Sequence, residues 1–349
     1  MLEKLQLKQF TVFADACFEF GPGLNVIVGE NGLGKTHVLK AAYAMLDVLA
    51  RGKRDSGAGE PSTKFLEGAL AKKLRNVFRP DSLGRLSRRQ RGVNRSEMTW
   101  QFSGAARSCR AHFTTKSNEV VSIDAAPRAW MEKLPVYLPA RELMSIYPGF
   151  VSLYETTHLE FDETWRDACV LLGAALAKGP REATIKKLLA PLEQAMGGSV
   201  ELDPSGRFYL KTPTGRVEMH LVAEGLRKLA AVARLIATGS LLDKGALFWD
   251  EPESNLHPCL VKEVAATVLR VVDSGVQTFI ATHSLFLLRE LEILSQKRPK
   301  PAVRYFSLRR GPEGVIVGQG DSIEDVGDLS LLDENLAQSQ RYVAAGVAQ

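Results

Sequence analysis

The chain has 349 residues, 45% of them apolar and 24% charged, with a net charge of +5. That length allows one large or two small folded units with a substantial core, and the composition excludes a disordered chain. No apolar run reaches the roughly 18 residues of a membrane span, and the opening MLEKLQLKQF alternates like a strand instead of forming a signal peptide. A soluble, cytoplasmic protein without a membrane partner is expected. Cys17, Cys109, Cys169 and Cys259 form no CxxC pair, which argues against structural zinc or a disulfide framework.

In chain order, 2–13 and 24–28 read as strands, the second being the apolar run LNVIV. Gly29-Glu30-Asn31-Gly32-Leu33-Gly34-Lys35-Thr36 comes next, and 38–50 has helical periodicity. The octapeptide fits GxxxxGK[ST] in the strand-to-helix context that the motif requires. Gly29, Gly32 and Gly34 let the backbone wrap phosphates with its amides inward, and the helix start at Lys35 adds its dipole. Lys35 reaches the β- and γ-phosphates, and the Thr36 hydroxyl ligates Mg²⁺. ATP and Mg²⁺ are therefore the expected cofactors. His37 adjoins the loop, either as part of the nucleotide site or as an ordinary helix residue.

Residues 51–59 read as a loop, 63–78 as a basic helix and 97–123 as a small antiparallel sheet. Between Arg51 and Arg110 lie fifteen Lys or Arg against five Asp or Glu, densest in RLSRRQRGVNR (85–95). This is either a solvated loop or a surface for DNA, RNA or an acidic partner. PVYLPARE (135–142) is a strand running into a loop. Residues 160–178 and 181–196 read as helices broken at Lys178-Gly179-Pro180, and 200–220 as a short meander.

ALFWD (246–250) is an apolar strand ending in Asp250 and Glu251. Two acids there are costly unless a cation sits opposite, and Mg²⁺ on Thr36 would supply it. Asp250 is assigned to Mg²⁺, and Glu251 to activation of the water that attacks the γ-phosphate. A helix over 257–272 leads to the strand 277–282, which ends in Thr282-His283-Ser284. His283 then faces the crevice at the carboxyl ends of the strands, within reach of the γ-phosphate or the lytic water. A helix over 284–294 and strands over 302–310 and 314–319 complete the pattern, and 319–334 reads as acidic surface within a polar end.

The expected architecture is α/β. A nucleotide-binding core over 1–50 and 220–320 is split by a basic, β-containing insertion (51–134) and by a segment of loop, helical subdomain and meander (135–219). A polar tail covers 321–349.

Taken together, GENGLGKT, FWDEPESNLHP and ATHS resemble the ABC-type ATPases of the SMC and OLD group, which include RecF-like repair proteins. The DEPESNLHP form is closer to OLD-like members. The resemblance covers about 1–48 and 220–310. It implies a head with an N-terminal antiparallel β lobe, a mainly parallel core sheet and ATP held between two copies. AEGLRK (223–228) is similar to the signature segment that one copy presents to the nucleotide of the other, so the resemblance assigns Ala223, Glu224 and Gly225 to the partner's γ-phosphate. Gly225 would allow close backbone approach, and the helix dipole would favour the anion; an imperfect helix start is the alternative. The loop at 138–142 corresponds to a γ-phosphate-sensing loop that usually carries Gln. Here Arg141 or Glu142 would contact Mg²⁺, water or phosphate. Asn255 and His257 resemble the loop that touches the opposite head, and YPGFVSLYE (147–155) resembles the lever. Fewer than seventy residues follow His283, so no appended nuclease domain is expected, and there is no long heptad run for a coiled-coil arm. The resemblance implies an ATP-hydrolysing switch, a homodimer or higher oligomer, serving anti-phage defence or DNA maintenance with a separate nuclease or toxin as effector. The alternatives are a non-catalytic ATP-dependent scaffold for that effector and a RecF-like loader.

Overall fold

Alternation of buried and exposed side chains sets the first layer. The strands β1 (Leu2–Phe10) and β2 (Phe13–Glu19) form an antiparallel hairpin. Gln9 and Thr11 hold positive φ at its turn, which ends the strand expected over 2–13. The computed structural model describes residues 1–157, 159–179, 182–242, 245–296, 298, 303–327 and 330–347.

The apolar run becomes β3 (Leu24–Gly29), at the centre of the main sheet. With β7 (Val136–Leu138), β11 (Ala246–Asp250), β12 (Gln277–Thr282), β13 (Val303–Gly311) and β14 (Gly314–Gly320), the order is β14-β13-β3-β12-β11-β7. All pairs are parallel except β13 with β14. Each parallel strand is covered on both faces, which is why these runs are apolar rather than alternating. Val26 and Val28 enter one core and Ile27 the other. Tyr137, Phe248 and Phe279 sit in register across three neighbouring strands, the latter two stacked at 4.6 Å between ring centroids.

On the second face lie α1 (Lys35–Ser56), α2 (Thr63–Phe78) and the N-terminal sheet. The sheet expected over 97–123 does form, as β4 (Arg95–Phe102), β5 (Cys109–Thr114) and β6 (Ser122–Ala125), but it is not a separate layer. β4 pairs along β1, giving one sheet in the order β2-β1-β4-β5-β6. Periodicity within 97–123 could not reveal a partner ninety residues upstream. The loop expected from Arg51 is also corrected. α1 runs on to Ser56 because Arg51 bonds back to Asp47 at 2.7 Å, one helical turn earlier.

The first face carries α3 (Tyr147–Thr156), α4 (Glu163–Leu172), α5 (Glu182–Met196), α6 (Glu224–Ala237), α7 (Pro258–Asp273) and α8 (Leu285–Ser295). A meander of β8 (Ser199–Leu202), β9 (Phe208–Thr212) and β10 (Gly215–Glu218) precedes α6. α4 stops at Gly173, short of the expected 178, and Ala177 N–H instead bonds Ala237 O at the end of α6 at 3.0 Å. Pro180 of the expected break lies outside the described residues. The expected polar tail contains a helix, α9 (Ser330–Val347).

A buried ionic knot joins the two faces near α1. Lys73 Nζ of α2 lies 2.7 Å from Asp47, 2.8 Å from Asp167 and 2.9 Å from Glu163. Tyr43 Oη donates to Asp167 at 2.6 Å. Burial opposes the charge on Lys73, but the three carboxylates together hold its ammonium above the usual lysine range. Lys73→Met would leave these acids without their central cation. We expect a loss of about 3–5 kcal/mol in urea unfolding at pH 8, with a smaller loss near pH 4, where the acids protonate.

Candidate active site

The carboxyl ends of β3, β12 and β11 lie side by side, with Val28 in register with Thr282 and Asp250 with Ala281. The three motifs therefore meet at one edge of the sheet, as an open α/β fold requires of its ligand site. Residues 30–34 cross from β3 to α1. Gly34 caps α1 at φ 90°, and a Cβ there would stand 2.7 Å from Val12 and 2.8 Å from Phe13. The hairpin turn thus presses on the loop and excludes any side chain at this position.

Lys35 Nζ spans the loop, donating to Gly29 O at 2.8 Å and to Glu30 O at 3.1 Å. Burial lowers its pKa, opposed by Glu251, Asp250 and Glu253. Glu30 lies 3.7 Å from Arg310 on β13. Leu33 packs into the second core, while Asn31 and Gly32 are exposed at the tip. His37, read either as part of the nucleotide site or as an ordinary helix residue, sets its ring edge-on to Phe78 at 5.6 Å. Burial, then Lys40, pushes it down to about 4. It is a neutral packing residue between α1 and α2.

Thr36 Oγ1 donates to Asp250 Oδ2 at 2.8 Å. The other oxygen, Oδ1, is buried with no hydrogen-bond partner. An orphaned carboxylate oxygen beside a hydroxyl is the hard oxygen set that a divalent cation takes, so these residues fit Mg²⁺. Burial pushes the Asp250 carboxyl up to about 6, against the Thr36 hydrogen bond and with help from Glu251.

Glu251 begins the turn after β11 with φ 45°, an uncommon conformation for a side-chain-bearing residue. Its N–H bonds Ala281 O at 2.8 Å, and its Oε1 lies 2.9 Å from His283 Nδ1. A carboxylate only accepts, so this contact puts a ring proton on Nδ1. The His283 side chain is 47% exposed, against 27% for Glu251. Glu253 is buried, accepts from Thr282 Oγ1 at 2.6 Å and has its carboxyl raised by burial.

Glu142 does not stand free for a metal. Its Oε1 accepts from Arg227 Nε at 2.9 Å and its Oε2 from Ser145 N at 3.2 Å. The ion pair with Arg227 of α6 corrects the expected Mg²⁺ role. Arg141 beside it is exposed. The Glu224-Gly225 helix start has an explanation inside the chain. A Cβ on Gly225 would meet Asn255 O at 2.8 Å and Leu256 Cδ2 at 3.1 Å, and Asn255 Nδ2 donates to Glu224 Oε1 at 2.8 Å. Within the chain, Gly225 makes its close approach to the turn after Glu251. Ala223 precedes the helix without a side-chain cap, so the first amides of α6 keep no side-chain acceptor. His257 caps α7, its Nδ1 accepting from Cys259 N at 3.3 Å.

Sequence reasoning missed Lys228. It is buried at 6% exposure among Gly225, Leu229 and Val232, in the apolar stripe of α6. A lysine in that register was the available signal. Burial lowers its amine to about 8.

A family model described as "AAA domain, putative AbiEii toxin, Type IV TA system" matches residues 148–289, and one described as "AAA domain" matches 4–119. The DNA replication and repair protein RecF of Ligilactobacillus salivarius (strain UCC118) is 39% identical over 69 residues, 20% of this chain and 18% of that protein. The match thus spans about a fifth of the length of such curated relatives. An SMC head bound to the C-winged helix domain of ScpA aligns over 93% of this chain and 98% of its own, with TM-score 0.56 and 16% identity. The chain has the fold of an SMC head. A second SMC head, with an extended coiled coil and bound to the C-terminal domain of ScpA derived from Pyrococcus furiosus, covers 97% of this head and 99% of its own chain at TM-score 0.53 and 12% identity. No helix among the described residues of the head is long and apolar enough to cross a membrane.

Proposed function

We propose that this head binds Mg²⁺-ATP and hydrolyses it at a composite site between two copies of itself, acting as a switch for a nucleic-acid-linked or effector-linked process. The observation that carries this reading is the meeting of Lys35, the Thr36–Asp250 pair and the Glu251–His283 pair at one sheet edge. Bound Mg²⁺-ATP would supply the phosphoryl electrophile and the countercharge on its oxygens. Thr36 and Asp250 would hold the cation, and Lys35 would turn from its carbonyls to the phosphates. Glu251 would take the proton of the attacking water, and His283 would hold the Glu251 carboxylate in place. The uncapped start of α6 supports a second copy's phosphate as the ligand of Ala223–Gly225.

The test is ATP turnover by the purified chain together with its mass in solution, with and without Mg²⁺-ATP. Turnover with a nucleotide-dependent doubling of mass is expected; a monomer at saturating nucleotide would remove the composite site. A scaffold that holds or releases a separate toxin or nuclease is the second reading, favoured by the toxin–antitoxin description of the model over 148–289. Anti-phage defence or DNA maintenance is the setting we favour.

Part of the basic stretch is occupied. Lys73 and Arg51 belong to the ionic knot, Arg75 pairs with Glu119 and Arg79 donates to Leu159 O. Arg89 and Arg91 are exposed, with Arg88 half-buried beside them. If nucleic acid binds here, its affinity should fall steeply with salt, and reversing Arg88, Arg89 and Arg91 to Glu should flatten that slope. An unchanged slope in a fluorescence titration would remove DNA and RNA from this surface.

A further inference from the structure

We infer that Lys228 is a positioning residue for the water-activating acid, fixing the backbone of Glu251 from the same helix whose start carries Ala223–Gly225. This rests on the hydrolytic reading above. Lys228 Nζ donates to Glu251 O at 2.6 Å, to Ser254 Oγ, and more weakly to Ser254 O at 3.4 Å. The Ser254 hydroxyl passes the connection on, donating to Ala140 O of the 138–142 loop at 2.9 Å. One ammonium thus joins α6, the acid's turn and the loop leading to Arg141 and Glu142.

The placement is expensive, and packing does not require it. Burying a lysine without a carboxylate in contact forgoes the ion pairing that normally offsets desolvation. Among the described residues, no salt bridge involves Lys228, and its hydrogen bonds go to two carbonyls and a hydroxyl. A methionine would fill the same apolar register on α6. The amine does something methionine could not. Glu251 sits at φ 45°, a backbone state that a residue with a side chain keeps only when its surroundings over-determine it. Its N–H is fixed by Ala281 O, and its carbonyl by Ser254 N at 3.1 Å and by Lys228. Without Lys228 the carbonyl loses its charged donor. The peptide can then relax toward an ordinary conformation and swing the carboxylate away from His283. Nucleotide binding at residues 29–36 involves none of these contacts, so it should be spared.

The experiment uses the full chain with Mg²⁺-ATP. Lys228→Met should lower kcat at least tenfold and change the Kd of a fluorescent ATP analogue by less than twofold, with the thermal midpoint held or raised. Lys228→Arg, which keeps a charged donor, should recover at least a third of the wild-type kcat. A purely structural lysine would instead lower kcat, nucleotide affinity and thermal midpoint together, and that result overturns the inference. So does a Lys228→Met chain with kcat within twofold of wild type, or a Lys228→Arg chain no better than Lys228→Met. If Lys228→Met does not fold, Ser254→Ala gives the answer by removing the hydroxyl between Lys228 and Ala140. A kcat loss of about threefold or more at unchanged Kd supports the inference, and no loss overturns it. A wild-type chain without turnover would sink the hydrolytic reading itself, whereas an active wild type beside unaffected variants would sink this inference alone.

Discussion

Glu251→Gln should lower ATP turnover about 10²–10⁴-fold, the usual contribution of a positioned general base, while nucleotide binding survives. Gln has the same shape and its carbonyl can still accept from His283, so the turn at φ 45° is not disturbed. The change removes only the capacity to take a proton. Lys35, Thr36 and Asp250 remain to hold ATP and Mg²⁺, so the closed dimer should accumulate instead of turning over. Steady-state phosphate release and light scattering on the same sample check both halves. Turnover within a few fold of wild type would remove Glu251 as the base, and a persistent monomer would remove the shared site.

Asp250→Asn should have the opposite effects on stability and on activity. The Asp250 carboxyl is raised from 3.8 to about 6, chiefly by burial. Ionised Asp250 is therefore disfavoured in the folded state. Its penalty is fully present above about pH 6 and disappears as pH falls below 3.8. Asparagine escapes that penalty and can still accept from Thr36. The variant should unfold about 1–3 kcal/mol less readily than wild type at pH 8, with the gap closing toward pH 4. It should also lose most of the Mg²⁺-dependent stabilisation by ATP. Chemical denaturation at several pH values, with and without Mg²⁺-ATP, separates the two effects. A variant no more stable than wild type at pH 8 would mean that Asp250 is not under this strain.

The parts of the site legible in the sequence were those in which chemistry and local structure coincide. The glycines and Lys35 belong to a strand–loop–helix junction, and Asp250, Glu251 and His283 terminate apolar strands, so each motif carried its own structural address. What stayed hidden depended on distant partners. Pairing of β4 with β1 leaves no mark in either strand. Glu142 read as a ligand because its partner, Arg227, lies eighty-five residues later in the chain. The Gly225 motif gave no sign that the backbone of Asn255 in the same chain also approaches it closely. Lys228 was hidden for the opposite reason. One cation in an amphipathic helix looks like its solvated face unless its register is followed residue by residue.

The ionic knot around Lys73 bears on how a stroke could travel through the head. Asp47 lies on the helix that begins at the phosphate loop, and Glu163 and Asp167 lie on α4 of the helical subdomain. Prising the two apart would strand several largely buried charges without partners, so α4 is tied through Lys73 to the helix that grips the nucleotide loop. Among the described residues, the part of the subdomain beyond Leu172 contributes nothing to this ion cluster.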